Sequence, residues 1–193
     1  MEVMGVPTYL SGMARGLLGS FSPIQYRHNR GAAIKEADLI LLCGVPFDFR
    51  LGYGRGVPST TPIISVNRNS KDLVKNRKPT AAIKADAGDF LIRLAKAMEG
   101  KGHTAALRDW HSLLRGREER RDREISDMAK PKSVEDARFL NPLHLVTQIE
   151  ACVCREKGVF VADGGDFVAT ASYVVRPRGM CGREICFGGE GRE

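Results

Sequence analysis

The chain has 193 residues, 42% of them hydrophobic and 27% charged, which suits one domain of roughly 100–200 residues with room for part of a second. Its net charge of +7 is densest over residues 115–123, where Glu118, Glu119 and Asp122 dilute the arginines, and no nucleic-acid motif accompanies it. A solvated helix face of mixed charge is therefore expected rather than a nucleic-acid site, and no run of about 18 apolar residues is present to span a membrane.

Residues 3–10 form an apolar, partly β-branched run, expected as a buried strand. A chain that enters a core strand this early reads as truncated upstream, and its start lacks the basic and apolar regions of a signal peptide. The small residues Ser11-Gly12-Met13-Ala14-Arg15-Gly16 follow. They suit either a helix start near a ligand or an ordinary strand-to-helix turn. Residues 29–38 show a short helix pattern. Leu39-Ile40-Leu41-Leu42-Cys43 is an apolar run of strand length, expected to be buried on both faces as in a parallel sheet. Gly44 ends it, and a loop runs to Pro62. Ile63-Ile64-Ser65-Val66 is the next strand, with Ser70 expected to cap a helix from Lys71. Ala81-Ala82-Ile83-Lys84-Ala85 is a further strand. Residues 86–98 are helical, with Phe90, Leu91, Leu94 and Ala95 on one face. Alternating strands and helices predict an α/β fold with a doubly wound parallel sheet. Ligands in such sheets bind beyond the carboxyl ends of the strands. Residues 12–16, 44–50 and 67–69 fall at such ends.

Leu107, Trp110, Leu113 and Leu114 recur at helical spacing and lead into a stretch that is almost wholly charged. Asn141-Pro142 opens another helix, with Pro142 at its first position and Leu143, Val146 and Ile149 as its buried stripe. Residues 158–162 form a strand that runs into Asp163-Gly164-Gly165-Asp166 and a helix to Val174. The glycine-rich end, residues 180–193, shows no periodic element and is expected to be a disordered tail. The five cysteines, Cys43, Cys152, Cys154, Cys181 and Cys186, are odd in number and irregular in spacing. That reads as buried or reduced thiols, not a disulfide framework or zinc site. His28, His103, His111 and His144 lie in separate segments and are expected at the surface or in packing.

The order of four segments resembles the thiamine-diphosphate-dependent enzymes of the acetolactate synthase and 2-hydroxyacyl-CoA lyase type. The segments are Met13-Ala14-Arg15-Gly16-Leu17-Leu18, the run from Ala37 through Gly44-Val45-Pro46-Phe47-Asp48-Phe49-Arg50, Ile64-Ser65-Val66-Asn67-Arg68-Asn69, and Val161-Ala162-Asp163-Gly164-Gly165-Asp166-Phe167-Val168-Ala169-Thr170. The resemblance implies a chain of four parts. Residues 1–100 are a Rossmann-like middle domain, and 101–138 a charged helical linker. Residues 139–179 begin the third, thiamine-diphosphate-binding domain, and 180–193 are the tail.

In this family the middle domain often takes FAD or ADP. The resemblance places Gly44, Val45, Asp48 and Arg50 in the nucleotide-facing loop, with Arg50 able to pair with phosphate. Asn67 and Asn69 stand where the family often has acids that accept from ribose hydroxyls. Asp86 stands in the family's Gly-Asp position, with Ala85 replacing the glycine. Gly164, Gly165 and Asp166 would lie beside the thiamine diphosphate. Two glycines and a helix start favour an anion there, while the aspartates oppose it, so a plain strand–turn–helix remains the other reading.

The family's Mg²⁺ motif, Gly-Asp-Gly followed by Asn, is not found in this chain, nor is a match to its catalytic-glutamate domain. Gly88-Asp89-Phe90 lies in the wrong domain and lacks the second glycine. No catalytic or metal-ligating residue is assigned. The expected function is thus part of a thiamine-diphosphate- and Mg²⁺-dependent enzyme of carbon–carbon bonds, inactive alone. The alternative is a non-catalytic FAD/ADP-binding or interaction domain. The family implies homo-oligomers. Location stays open between cytoplasm, for this chain alone, and the endoplasmic reticulum membrane, for a full-length relative.

Overall fold

The computed structural model describes residues 4–19, 21–101, 105–130, 139–155, 160–162, 165–176 and 185–187. In chain order the elements are β1 (Thr8–Tyr9), β2 (Gln25–Tyr26), α1 (Arg30–Glu36), β3 (Ile40–Cys43), β4 (Ile63–Asn67), α2 (Ser70–Leu73), β5 (Ala81–Lys84), α3 (Ala87–Ala97), α4 (Ala105–Met128), α5 (Pro142–Arg155), β6 (Phe160–Ala162), α6 (Asp166–Val174) and β7 (Ile185–Phe187). They form two compact units. One is Met1–Val6 with Asn29–Trp110, and the other is Pro7–His28 with His111–Glu193. All strand pairings among the described residues are parallel, so the expected α/β class holds.

In the first unit β3, β4 and β5 lie side by side in that order, with Cys43 opposite Val66 and Asn67 opposite Lys84. Ile40, Leu42 and Ile63 pack with Phe47 and Val57, and Ile34 and Ala37 close over them. The β3 run is not buried on both faces as expected. Ile40 and Leu42 are buried, Leu41 and Cys43 only half-buried, and Leu39 is 49% exposed. α1 buries Ala33 and packs Ile34 against this cluster. α3 has no buried residue, and sets Phe90, Leu91, Leu94 and Ala95 half-buried on its expected face.

The segment between β3 and β4 is tighter than a plain loop, with 3₁₀ turns over Phe49–Gly54. Arg77 ties it down by donating to the carbonyls of Gly54 (3.3 Å), Val57 (2.8 Å) and Pro58 (3.2 Å). Asn76 Nδ2 adds a bond to the Phe47 carbonyl at 2.6 Å. The cap of α2 is also corrected. Asn69, not Ser70, is the N-cap, and its Oδ1 accepts the Lys71 N–H.

In the second unit the long strand expected over residues 3–10 shrinks to Thr8–Tyr9, half-buried and paired with Gln25–Tyr26. Gly5 turns the chain at φ 56°, and Pro7 has no N–H to give a ladder. Residues 12–14 form a short 3₁₀ turn. α4 buries Leu114, Glu118 and Ile125 along one stripe, while Leu113 is 45% exposed. α5 begins as expected at Pro142, with Asn141 Oδ1 accepting the Leu143 N–H at 3.0 Å. Val146 packs with Ala171 and Val175. The tail is corrected in one place, since Ile185–Phe187 pairs with β6. Three apolar residues among glycines are too few for a periodic pattern to show.

Candidate functional site

The site grows from three neighbouring strand ends. At the end of β3 the chain turns at Gly44, with φ 71°, a left-handed conformation that favours glycine. The Gly44 N–H donates to the Val66 carbonyl at 2.8 Å. A Cβ on Gly44 would lie 3.6 Å from that of Ala87, so this turn sits beside the start of α3. Cys43, just before it, has its thiol pushed up to about 11 by burial, which keeps it protonated and unreactive at neutral pH.

Past Gly44, Val45 is half-buried and Asp48 is buried. Asp48 accepts from the backbone N–H of Arg50 at 2.9 Å and from its guanidinium at 2.5 Å. The Arg50 guanidinium also lies 4.8 Å above the exposed Phe49 ring. Its carbonyl accepts from Arg30 Nη2 at 2.6 Å. Arg50 is therefore held in place, and its side chain is still 48% exposed.

At the end of β4, Asn67 Oδ1 accepts the Asn69 N–H at 3.0 Å, and Asn69 Oδ1 accepts that of Lys71 at 3.0 Å. At the end of β5, Ala85 donates its N–H to the Asn67 carbonyl at 3.2 Å. Asp86 caps α3, its Oδ1 accepting from Gly88 N–H (2.8 Å) and Asp89 N–H (3.0 Å). Its Oδ2 pairs with Arg68 Nη2 at 2.5 Å. The Asp89 N–H above all, with Arg68 and Gly88, holds the Asp86 carboxyl below its usual range.

The structure thus brings Gly44, Asn67, Asn69 and Asp86 to one sheet edge and ties Asp48 to Arg50. Arg68 escaped the sequence reading. Its position between two asparagines at a strand end was the available signal. With its exposed arginines, this edge suits an anionic nucleotide.

Gly165 and Asp166 belong to the other unit, and Gly164 lies outside the described residues. Gly165 precedes α6 at φ 89°, and among the described residues no side chain caps that helix and a Cβ there would meet nothing within 4 Å. A helix start favours an anion through its unpaired N–H groups and dipole. No group of three or more His, Cys, Asp or Glu that would hold a metal ion occurs among the described residues. No helix among them is long and apolar enough to cross a membrane.

A second polar cluster corrects, at Glu118, the expectation that the charged run is a solvated face. Glu118 is 6% exposed. Its carboxylate accepts the backbone N–H of Arg27 (3.1 and 3.2 Å) and of His28 (2.9 Å), and pairs with Arg27 Nε at 3.4 Å. Asp122 pairs with Arg27 (2.7 Å) and Arg176 (2.6 Å), and lies 3.1 Å from His28 Nε2. Burial, reinforced by Arg27, holds the His28 imidazole below its ordinary value against the pull of the two carboxylates. His111 Nδ1 meets the Tyr26 hydroxyl at 2.6 Å. These two histidines serve packing, as expected, while His144 is exposed and His103 lies outside the described residues.

Residues 1–94 match the family described as thiamine pyrophosphate enzyme, central domain. The chain is 43% identical over 183 residues to 2-hydroxyacyl-CoA lyase 2 of Danio rerio and 38% identical over 183 residues to that of Homo sapiens. Each match covers 93% of this chain and 28% of the relative. It is 31% identical over 175 residues to the acetolactate synthase large subunit IlvG of Mycobacterium tuberculosis, covering 91% of this chain and 30% of that protein. The chain therefore spans less than a third of the length of these relatives.

Proposed function

Because residues 1–94 belong to the central domain of the thiamine pyrophosphate enzyme family, we propose that the chain is part of a thiamine-diphosphate- and Mg²⁺-dependent enzyme that breaks or forms a carbon–carbon bond next to a carbonyl. Its central domain, residues 1–100, takes FAD or ADP at the β3–β5 edge. Residues 139–179 begin the thiamine-diphosphate domain, and the working enzyme is a homo-oligomer. The relatives named as 2-hydroxyacyl-CoA lyases support a 2-hydroxyacyl thioester as substrate class.

The observation that carries the nucleotide reading is the convergence of Gly44, Asn67 and Asp86 at the carboxyl ends of three adjacent parallel strands. Nucleotides in open α/β sheets bind there. Gly44 admits a close backbone approach, and Arg50, steadied by Asp48, offers its exposed guanidinium to a phosphate. In the other unit, the uncapped start of α6 at Gly165 and Asp166 favours the diphosphate. Thiamine diphosphate, when bound, supplies the electron sink that the substrate carbonyl carbon requires.

Titration calorimetry on the 193-residue chain is expected to give heat with FAD or ADP. No heat with either rejects the nucleotide site. The same chain with thiamine diphosphate, Mg²⁺ and a 2-hydroxyacyl-CoA is expected to show no turnover, and measurable turnover rejects its inactivity alone. A second reading, a non-catalytic nucleotide-binding or interaction domain, draws support from the nucleotide edge being built from this chain's own residues. Nucleotide binding that persists while added thiamine diphosphate and Mg²⁺ give no heat would favour it.

A further inference from the structure

We propose that Arg77 is a positioning residue for nucleotide binding, fixing the turn that presents Arg50 to a phosphate. This rests on the nucleotide reading of the β3–β5 edge and adds to it a residue that acts through Arg50. Phe47 and Val57 anchor the two ends of the segment in the core, at 3% and 4% exposure. Between them Phe49, Arg50, Gly52 and Tyr53 are exposed, so packing does little to fix the shape of this stretch.

The stretch turns through three successive left-handed residues, Gly52 (φ 56°), Tyr53 (φ 56°) and Gly54 (φ 73°). Glycine adopts that conformation freely, but a tyrosine is strained in it and stays there only where its surroundings determine it. Two sets of bonds do so. The Asp48 carbonyl accepts the N–H groups of Leu51 (3.1 Å) and Tyr53 (2.8 Å). Beyond Tyr53, Arg77 Nη1 donates to the carbonyls of Gly54 and Val57, and Nη2 to that of Pro58. Gly54 makes room for this clamp, since an added Cβ would lie 2.6 Å from Arg77 Cγ. The same Asp48 whose carbonyl closes the turn holds Arg50 through its carboxylate. Arg77, the left-handed turn, Asp48 and Arg50 are therefore one chain of contacts. Arg77 is half-buried and directs its guanidinium at three carbonyls of the segment, which suits positioning rather than ligand contact. With the clamp in place, Arg50 meets a phosphate without the turn first having to be ordered, and a preorganised contact binds more tightly.

The test titrates ADP, or FAD where ADP gives no heat, by calorimetry on the 193-residue chain, with circular dichroism to check the fold of each variant. Arg77→Ala is expected to weaken the nucleotide about tenfold, as Arg50→Ala does. The double variant is expected to lose no more than about twofold beyond Arg50→Ala, because residues acting through one contact are not additive. Independent roles would multiply to about a hundredfold loss and overturn the proposal. Arg77→Lys keeps the charge without the planar fork, and is expected to stay at least about threefold weaker than the parent. Full affinity in Arg77→Lys would assign the effect to charge alone and overturn the positioning role. Should Arg77→Ala not fold, Arg77→Lys carries the comparison with Arg50→Ala. In the absence of ligand, the amides of Arg50, Leu51 and Tyr53 are expected to lose protection from hydrogen exchange in the Arg77 variant, while those of Leu42 and Val66 keep theirs. Unchanged exchange at the first three, or unchanged nucleotide affinity in Arg77→Ala, overturns the positioning role and leaves the nucleotide site standing. No heat from the parent chain with ADP or FAD overturns both.

Discussion

The two compact units are held by polar contacts of opposite range. Around the β3–β5 edge the strand-end caps are local, and its ion pair Arg68–Asp86 spans only 18 positions. Asn67 reaches Asn69, Asn69 reaches Lys71, Asp86 reaches Gly88, and Asp48 reaches Arg50, each two residues on. The apolar packing of Ile40, Leu42 and Ile63 lies behind them. In the other unit, Glu118 takes the N–H groups of residues 91 and 90 positions away, and Arg176 reaches Asp122 across 54. Local caps organise an edge that can meet a ligand. The distant pairs instead fasten the Gln25–His28 stretch to α4, and there a charge is buried. A buried carboxylate that serves two backbone donors costs far more to lose than an ion pair in water.

Glu118→Ala breaks this contrast most severely. It strands two backbone N–H groups and leaves the Arg27 guanidinium with Asp122 as its ion-pair partner, and is expected to cost about 3 kcal/mol. Denaturant unfolding measures the loss, and hydrogen exchange locates it. The amides of Arg27 and His28 should lose protection while those of β3–β5 keep theirs. Unchanged exchange at Arg27 and His28 would refute the role given to Glu118.

His28 sharpens the comparison through pH. Burial and Arg27 place its folded value below the unfolded 6.5, with Glu118 and Asp122 opposing them. The unfolded chain therefore takes up the proton first. The stabilisation is complete above pH 6.5 and is lost as pH falls through the lower folded value. Urea midpoints at neutral and mildly acidic pH should differ less in His28→Gln than in the parent chain. An equal slope in both would assign the pH dependence elsewhere.

The smallest effect is expected at Lys130. Its amine holds the Asp127 carboxyl below its usual range at 2.8 Å, but both side chains are mostly exposed. Lys130→Ala should leave the unfolding midpoint unchanged within error, as for most surface pairs. A clear drop would mean that charge alone, without burial, stabilises this helix.

Much of the β3–β5 edge was legible in the sequence. Strand-length apolar runs, the glycine after Cys43 and the helix start at Asp86 are features of a few adjacent residues. Their physics acts within a turn or a strand, so the pattern suffices. The exchange of Ser70 for Asn69 as cap shows the limit, since two neighbouring polar residues can each serve and backbone geometry chooses between them.

The sequence by itself determined the α/β class, most of the strands and helices, the three strand ends and the family. It could not determine which charges are buried. Glu118 looks like its neighbour Glu119 in the chain, yet only Glu118 falls on the inward stripe of α4, against the N–H groups of Arg27 and His28. Nor could it show that Arg68 is anchored by Asp86, 18 positions away. Burial and pairing of charges depend on what lies across space. Only the tertiary structure supplies that.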